Sequence, residues 1–181
     1  MIKKISRKLE KIFSESSLYF KIYAAPYHRV VKREIELTKK HGNLKPPLLN
    51  IGCGSMPFTT YYLARETDLE VVAVDQDSEM TDLAKKTIKK LGLENKITVI
   101  NKKASEIDFK EYQAVYTALH LKNKKKVYNQ FMETAPQGSR FLVREPRKTF
   151  KNHYEELNNN SVDLVKHRLV TFDRTCLYIK D

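Results

Sequence analysis

The sequence predicts an α/β fold: an open, mostly parallel sheet of seven strands with helices packed against it, preceded by a helical extension. Three observations predict it. From residue 48 onward, short apolar runs of strand length alternate with amphipathic stretches of helix length. The first run stops at Gly52-Cys53-Gly54 and the second at Asp75, which is the spacing of strand, loop, helix and strand. The last two runs, 162–170 and 175–179, are close neighbours and read as a hairpin, so the sheet ends in an antiparallel strand.

The elements follow in order. Ile2, Ile5, Leu9, Ile12 and Phe13 fall at helical spacing, with Lys3, Lys4, Arg7, Lys8 and Lys11 on the remaining surface, which makes a basic amphipathic helix. Its apolar stripe serves to pack on its own domain, to track RNA or to lie on an anionic membrane. Ser14 to Ser17 break it, and a second helix runs from Leu18 to His41 with an interruption at Pro26. Gly42 and Asn43 stop that helix, and Pro46-Pro47 force an extended approach to the first strand. The chain therefore divides into a basic helical extension, 1–46, and an α/β domain, 47–181.

Strands are expected at Leu48 to Ile51, Val71 to Val74, Ile97 to Ile100, Ala114 to Leu119 and Arg140 to Arg144. Pro57 suits the first turn of the helix after the glycine loop. Asp77 or Ser78 caps the next helix, whose Met80, Leu83, Ala84, Thr87, Ile88 and Leu91 form one face before Gly92, with Lys85, Lys86, Lys89 and Lys90 largely opposite. A further helix covers Asn123 to Ala135, and Pro136-Gln137-Gly138 turns the chain into the fifth strand. The hairpin pairs Val162 to Val170 with Thr175 to Ile179 through a turn at Asp173-Arg174.

Composition narrows the classes. A chain of 181 residues with 41% hydrophobic content builds one core, which leaves little room for a two-domain dehydrogenase. Cys53 and Cys176 provide neither a disulfide framework nor a CxxC metal pattern, so a metal-free intracellular protein is expected. No apolar run reaches membrane-spanning length, and Met1-Ile2-Lys3-Lys4 is not followed by the apolar stretch of a signal peptide, which reads as soluble and cytoplasmic. The net charge is +12, and residues 1–47 hold 12 Lys or Arg against 4 Asp or Glu. That excess is either a surface for nucleic-acid phosphates or a solvated basic face.

The glycine loop and Asp75 point to a nucleoside. Glycine lets the backbone approach a ligand closely, and a carboxylate at the end of the second strand accepts hydrogen bonds from a ribose diol. Pro57 stands where a dinucleotide fingerprint carries its third glycine, and its ring obstructs the pyrophosphate approach. This favours S-adenosylmethionine (SAM), which has no pyrophosphate.

From Leu48 to Ile179 the sequence resembles the class I SAM-dependent methyltransferases, with their Rossmann-like sheet and antiparallel last strand. By that resemblance Gly52, Cys53 and Gly54 line the methionine part of SAM, Asp75 holds the ribose, and Gln76 and Asp77 flank the adenine edge. Asn50 and Thr117 join the cofactor set. One stretch departs from the pattern: these enzymes often carry an acid after the third strand, and here the segment reads Asn101-Lys102-Lys103-Ala104-Ser105. Lysine cannot accept a hydrogen bond, so adenine recognition falls to backbone or to Ser105.

Two narrower resemblances compete. The run Ile51-Gly52-Cys53-Gly54-Ser55-Met56-Pro57-Phe58-Thr59, with Ala135-Pro136 and Leu142-Val143-Arg144 later, is similar to nicotianamine synthases, which transfer an aminocarboxypropyl group from SAM. Their active-site acid falls on Glu34 or Glu36, which the pattern does not decide. The GCGxxP loop, Gly52 to Pro57, also resembles the 16S ribosomal RNA methyltransferases of aminoglycoside resistance, whose helical extension meets the ribosome.

A sulfonium is an activated electrophile, so the protein has to hold both reactants in line and exclude water, and neither a nucleophilic triad nor a metal cluster is required. Ligands of an open α/β sheet sit at the carboxyl ends of strands, which singles out Thr117, Leu119 and His120, and Arg144, Glu145, Pro146 and Arg147. The absence of a DPPY-like motif argues against methylation of an exocyclic base nitrogen through that arrangement. His120 is a candidate general base or a polar surface residue, and Glu145 a group that orients an amine or a salt-bridged loop acid. Arg144, Glu145 and Arg147 are the substrate-binding candidates. Tyr27 and His28 form a lid over the SAM pocket or, for Tyr27, pack in the core, and Tyr61 and Tyr62 are read as helix packing ahead of substrate stacking. Methyl transfer to RNA, ribosomal RNA above all, is the expected activity. Aminocarboxypropyl transfer to a small amine and non-catalytic nucleic-acid binding are the alternatives, and the oligomeric state is not legible.

Overall fold

The computed structural model describes residues 17–157 and 160–181, so the basic helix expected over residues 1–13 lies outside the described residues. Seven strands form one sheet: β1 (Leu48–Ile51), β2 (Val71–Asp75), β3 (Ile97–Asn101), β4 (Ala114–Thr117), β5 (Arg140–Pro146), β6 (Asp163–Lys166) and β7 (Phe172–Ile179). Their order is β3-β2-β1-β4-β5-β7-β6, parallel from β3 to β5 and antiparallel across β5-β7 and β6-β7. The strand order reverses between β1 and β4, where an open α/β sheet leaves its ligand crevice.

Each face of the sheet buries its own core. On one side α1 (Ser17–Lys40), α2 (Phe58–Thr67) and α3 (Ser78–Lys90) pack Val31, Ile35, Leu63, Ala84 and Ile88 against Leu48, Val71, Tyr116 and Leu142. On the other, α4 (Lys124–Thr134) sets Val127 and Phe131 on Leu49, Val115, Phe141 and Tyr178, and Ile107 and Phe109 come from the β3–β4 connection. The parallel strands β1 and β4 are buried at every position, which is why their sequences read as nearly continuous apolar runs, broken only by Asn50 and Thr117. Asp77 caps α3 by accepting from Glu79 N and Met80 N, and Pro57 sits at the N-cap position of α2.

Two expectations are corrected. Pro26 does not interrupt the second helix, which runs unbroken from Ser17 to Lys40. Proline removes one N–H from the i→i−4 ladder, the partner of the Ile22 carbonyl, and Ile22 is 58% exposed, so this turn of the helix lies at the surface. The hairpin turn is not at Asp173-Arg174. Both residues lie in β7, where Arg174 pairs with Lys166, and the connection is residues 167–171. His167 N–H donates to the Asp173 carbonyl at 2.6 Å and extends the pairing toward the turn.

Arg140, at the start of β5, holds the end of α1 by donating to the carbonyls of Thr38, Gly42 and Asn43 at 3.4, 2.6 and 2.9 Å. Tyr116 donates its hydroxyl to Thr38 Oγ1 at 3.1 Å. At the sheet edge, Asp163 of β6 accepts from Lys40 and pairs with His41. The described part of the expected extension, α1, is thus fixed against the sheet. Among the described residues no helix is long and apolar enough to cross a membrane.

Candidate active site

The glycine loop leaves β1 with Gly52 N–H and Cys53 N–H both donating to the Val74 carbonyl, at 2.7 and 3.2 Å. Gly52 has φ of +81°, and a Cβ built there would lie 2.9 Å from Ala118 Cβ, so the loop passes over β4 only without a side chain. Gly54 has φ of +63°, and its missing Cβ would project into open space. Its N–H donates to Asp75 Oδ2 at 2.9 Å, while Asp77 N–H donates to Oδ1 at 3.1 Å. The acid therefore stands beside the loop, as the spacing implied. Each carboxylate oxygen keeps a further lone pair for a ribose hydroxyl.

These features fit SAM. The loop leaves open space at Gly54, and Asp75 is pinned by two backbone donors with acceptor capacity to spare. Cys53 lines the same site but is buried, and that burial, with the Asp75 charge adding to it, pushes its thiol up to about 12. It stays neutral and serves as packing. Gln76 and Asp77 are exposed beside Asp75, and Ser105 sits in a short 3-10 turn, Ala104–Glu106, beyond β3.

Next to the loop lies a cavity of about 150 Å³ lined by Asn50, Gly52, Cys53, Met56, Phe58 and Thr59 on one side, and by Tyr27, Leu119, His120, Arg144 and Phe172 on the other. Asn50 is buried beneath it, donating to the Tyr116 carbonyl and accepting from the Thr60 hydroxyl. Tyr27 comes from α1 and its ring lies 5.4 Å from that of Phe58. His28 points elsewhere, stacked on Tyr62 and bonded to Glu66, so of the two expected lid residues only Tyr27 reaches the cavity. Tyr61 packs on Phe20.

Arg144 is the most constrained group in the cavity wall. Its Nε and Nη2 each donate at 2.8 Å to the two oxygens of Glu34, both side chains being almost fully buried. Glu34 also accepts from the Thr175 hydroxyl at 2.7 Å, and His167 Nε2 lies 2.9 Å from that hydroxyl. The guanidinium carbon lies 5.9 Å from the Tyr27 ring centroid and 5.3 Å from that of Phe172. Burial alone would lower the Arg144 pKa, and the charge and hydrogen bonds of Glu34 reverse this and hold it above its ordinary value. Glu36, the other acid in question, is exposed.

Of the remaining candidates only His120 reaches the cavity. Side chains alternate along β5, so Glu145 faces the opposite core, where Oε1 accepts from Leu157 N and burial raises its pKa against the lowering influence of Lys124. Arg147 spends its Nε on the Leu169 carbonyl and braces the β6–β7 connection. Thr117 is buried with its hydroxyl donated to the Leu142 carbonyl. His120 is at the cavity rim, edge-on to Tyr154 at 4.9 Å, and partial burial followed by the Lys124 charge keeps its pKa below the usual histidine value. Glu34 was named in the sequence only as one of two acids, beside Glu36, and Phe172 and Thr175 were not singled out at all. A turn placed at Asp173-Arg174 hid the last two, because it put Phe172 in a connection and left Thr175 at the start of a strand.

A sheet of this order, with a glycine loop after β1 and a carboxylate closing β2, defines a class I SAM-dependent transferase. Residues 48–137, about half of the chain, match the family described as a methyltransferase domain, and the chain belongs to the class I SAM-dependent methyltransferase superfamily, with SAM as its cofactor. No curated protein sequence matches it. Among solved structures it is similar to MtNAS in complex with S-adenosylmethionine, in a glutamate-to-glutamine mutant, at 18% identity, covering 98% of this chain and 72% of that one with a TM-score of 0.81. MtNAS in complex with MTA and tNA gives a TM-score of 0.82 at 18% identity, over 98% of this chain and 70% of that one. An RNA methyltransferase from Salinibacter ruber, in complex with S-adenosyl-L-homocysteine, matches at 18% identity over 84% of this chain and 90% of that one, with a TM-score of 0.65.

Proposed function

We propose that this enzyme transfers a group from SAM to a small amine enclosed beneath α1, in the manner of the nicotianamine synthases, and not to RNA. The observation that carries this reading is the small size of the cavity and its lining: Tyr27 and Phe172 line it together with the glycine loop, and Arg144, locked to Glu34, forms part of its wall. A polynucleotide needs an open approach for a base and its flanking backbone, and about 150 Å³ suits a group of amino-acid size. Bound SAM supplies a sulfonium whose aminocarboxypropyl carbon is attacked by the amine, the C–S bond electrons passing to sulfur as methylthioadenosine (MTA) leaves. The likeness to MtNAS over 98% of the chain, including complexes with SAM and with MTA, supports this reading.

In this scheme Gly52, Cys53 and Gly54 seat the methionyl end of SAM, Asp75 takes the ribose diol, and Gln76 and Ser105 flank the adenine. Tyr27, Leu119 and Phe172 exclude water. His120, whose pKa lies below the usual histidine value, takes the proton that the acceptor's ammonium gives up to become the neutral amine that attacks. The test is a product analysis: protein with SAM and a panel of small diamines and amino acids, read by mass spectrometry. Methylthioadenosine released in step with an alkylated amine supports the proposal. S-adenosylhomocysteine formed with RNA, and not with any small amine, overturns it in favour of the reading that the net charge of +12 suggests.

A further inference from the structure

Arg144 is built to leave one edge of its guanidinium unused. Glu34 takes Nε–H and one hydrogen of Nη2, the side-on edge of the fork. The second hydrogen of Nη2 and the hydrogens of Nη1 define the end-on edge, and among the described residues no protein acceptor meets Nη1. Arg144 lines the cavity, so this edge belongs to the cavity wall. The planar fork matches the two oxygens of a carboxylate. Its orientation is fixed before any ligand arrives: Glu34 is bonded to Thr175, His167 backs Thr175, and the rings of Tyr27 and Phe172 flank the guanidinium. A group held this firmly gives up little side-chain entropy on binding.

Resting on the SAM-transferase reading, we infer that Arg144 is a specificity residue that receives the α-carboxylate of an amino-acid moiety, with Glu34 as its positioning partner. The carboxylate has two sources, the methionyl end of SAM or the acceptor amine. Where the acceptor supplies it, amines without a carboxylate are poor ligands of this site, and the acceptor class is that of amino acids and their N-alkyl derivatives; where SAM supplies it, Arg144 selects the cofactor's methionyl end.

Calorimetry tests this without reference to turnover. The probes are S-adenosylhomocysteine, its decarboxylated analogue, and L-2-aminobutyrate against 1-aminopropane on protein saturated with methylthioadenosine. If the carboxylate is that of SAM, wild type binds S-adenosylhomocysteine roughly tenfold to a hundredfold more tightly than the decarboxylated analogue, and Arg144→Gln abolishes the difference. If it is that of the acceptor, the two nucleosides bind alike, while L-2-aminobutyrate binds and 1-aminopropane does not, and Arg144→Gln loses the distinction. Arg144→Gln leaves Glu34 buried and unpaired, so the paired variant Glu34→Gln/Arg144→Gln, which buries no charge, is measured beside it, with circular dichroism as the check of folding. Binding of S-adenosylhomocysteine with no preference for a carboxylate in either arm overturns the inference alone. Failure of wild type to bind either nucleoside overturns the cofactor reading beneath it as well.

Discussion

Replacing Gly52 by alanine puts a methyl group 2.9 Å from Ala118 Cβ and asks a β-carbon residue to hold φ of +81°. The backbone share is about 1–2 kcal/mol, the usual cost of the left-handed region for an L-residue. The overlap adds about 1–3 kcal/mol, because Ala118 directly follows β4 and its methyl cannot retreat like the tip of a long side chain. The sum, roughly 2–5 kcal/mol, corresponds to a fall in Tm of about 4–20 °C for a chain of this size. The two shares are separable. Ala118→Gly removes the overlap and leaves the torsional cost, so Gly52→Ala/Ala118→Gly recovers the steric part, and a double-mutant cycle by urea unfolding shows coupling of about 1 kcal/mol or more. Gly54→Ala, at φ of +63° with nothing near its Cβ, pays the torsional share only and does not couple to Ala118→Gly. S-adenosylhomocysteine affinity falls at least about tenfold in Gly52→Ala, as the displaced loop misaligns its donors. Additive costs for Gly52→Ala and Ala118→Gly would refute the claim that close passage over β4 is what demands glycine here.

Four further outcomes are expected. Asp75→Ala removes the ribose acceptor and strands Gly54 N–H and Asp77 N–H, and calorimetry with S-adenosylhomocysteine reads a loss of at least about tenfold in affinity. Glu34→Ala leaves Arg144 buried without its counter-charge and costs about 3–5 kcal/mol by urea unfolding, whereas Glu34→Gln/Arg144→Gln costs less than Glu34→Ala because no lone charge remains. Cys53, with its thiol pushed up to about 12, resists iodoacetamide at pH 8 in the folded protein and reacts in urea, as peptide mass spectrometry reads directly. Asp163 has its pKa lowered first by the hydrogen bond from Lys40 and then by that from His41. Its folded pKa lies below the unfolded one, so its contribution is present above the unfolded carboxylate range and is lost as pH falls through the folded value. Asp163→Asn therefore flattens the acid limb of the stability profile.

The sequence by itself determined the seven strands and the glycine loop with Asp75 at its side, and narrowed the helix cap to Asp77 or Ser78, because each rests on local chemistry: apolar runs, backbone torsions that favour glycine, and a carboxylate or hydroxyl next to free helix donors. The segment from 48 to 144 was legible for that reason. Periodicity also named Arg144, Glu145 and Arg147 together as strand-end residues. Only the tertiary structure separated them, since alternation along β5 sends Arg144 to the cavity and Glu145 to the opposite core, and Arg147 is drawn to the β6–β7 connection. Pro26 could not be read correctly from the chain alone, because whether a proline breaks a helix depends on whether the orphaned carbonyl meets water or a buried wall. The Glu34–Arg144 pair spans 110 residues, and no local pattern encodes a contact of that separation. It forms because α1 packs along one face of the sheet with Tyr27 reaching the cavity, and that docking, more than any motif, decides the size and the charge of the cavity where the acceptor would sit.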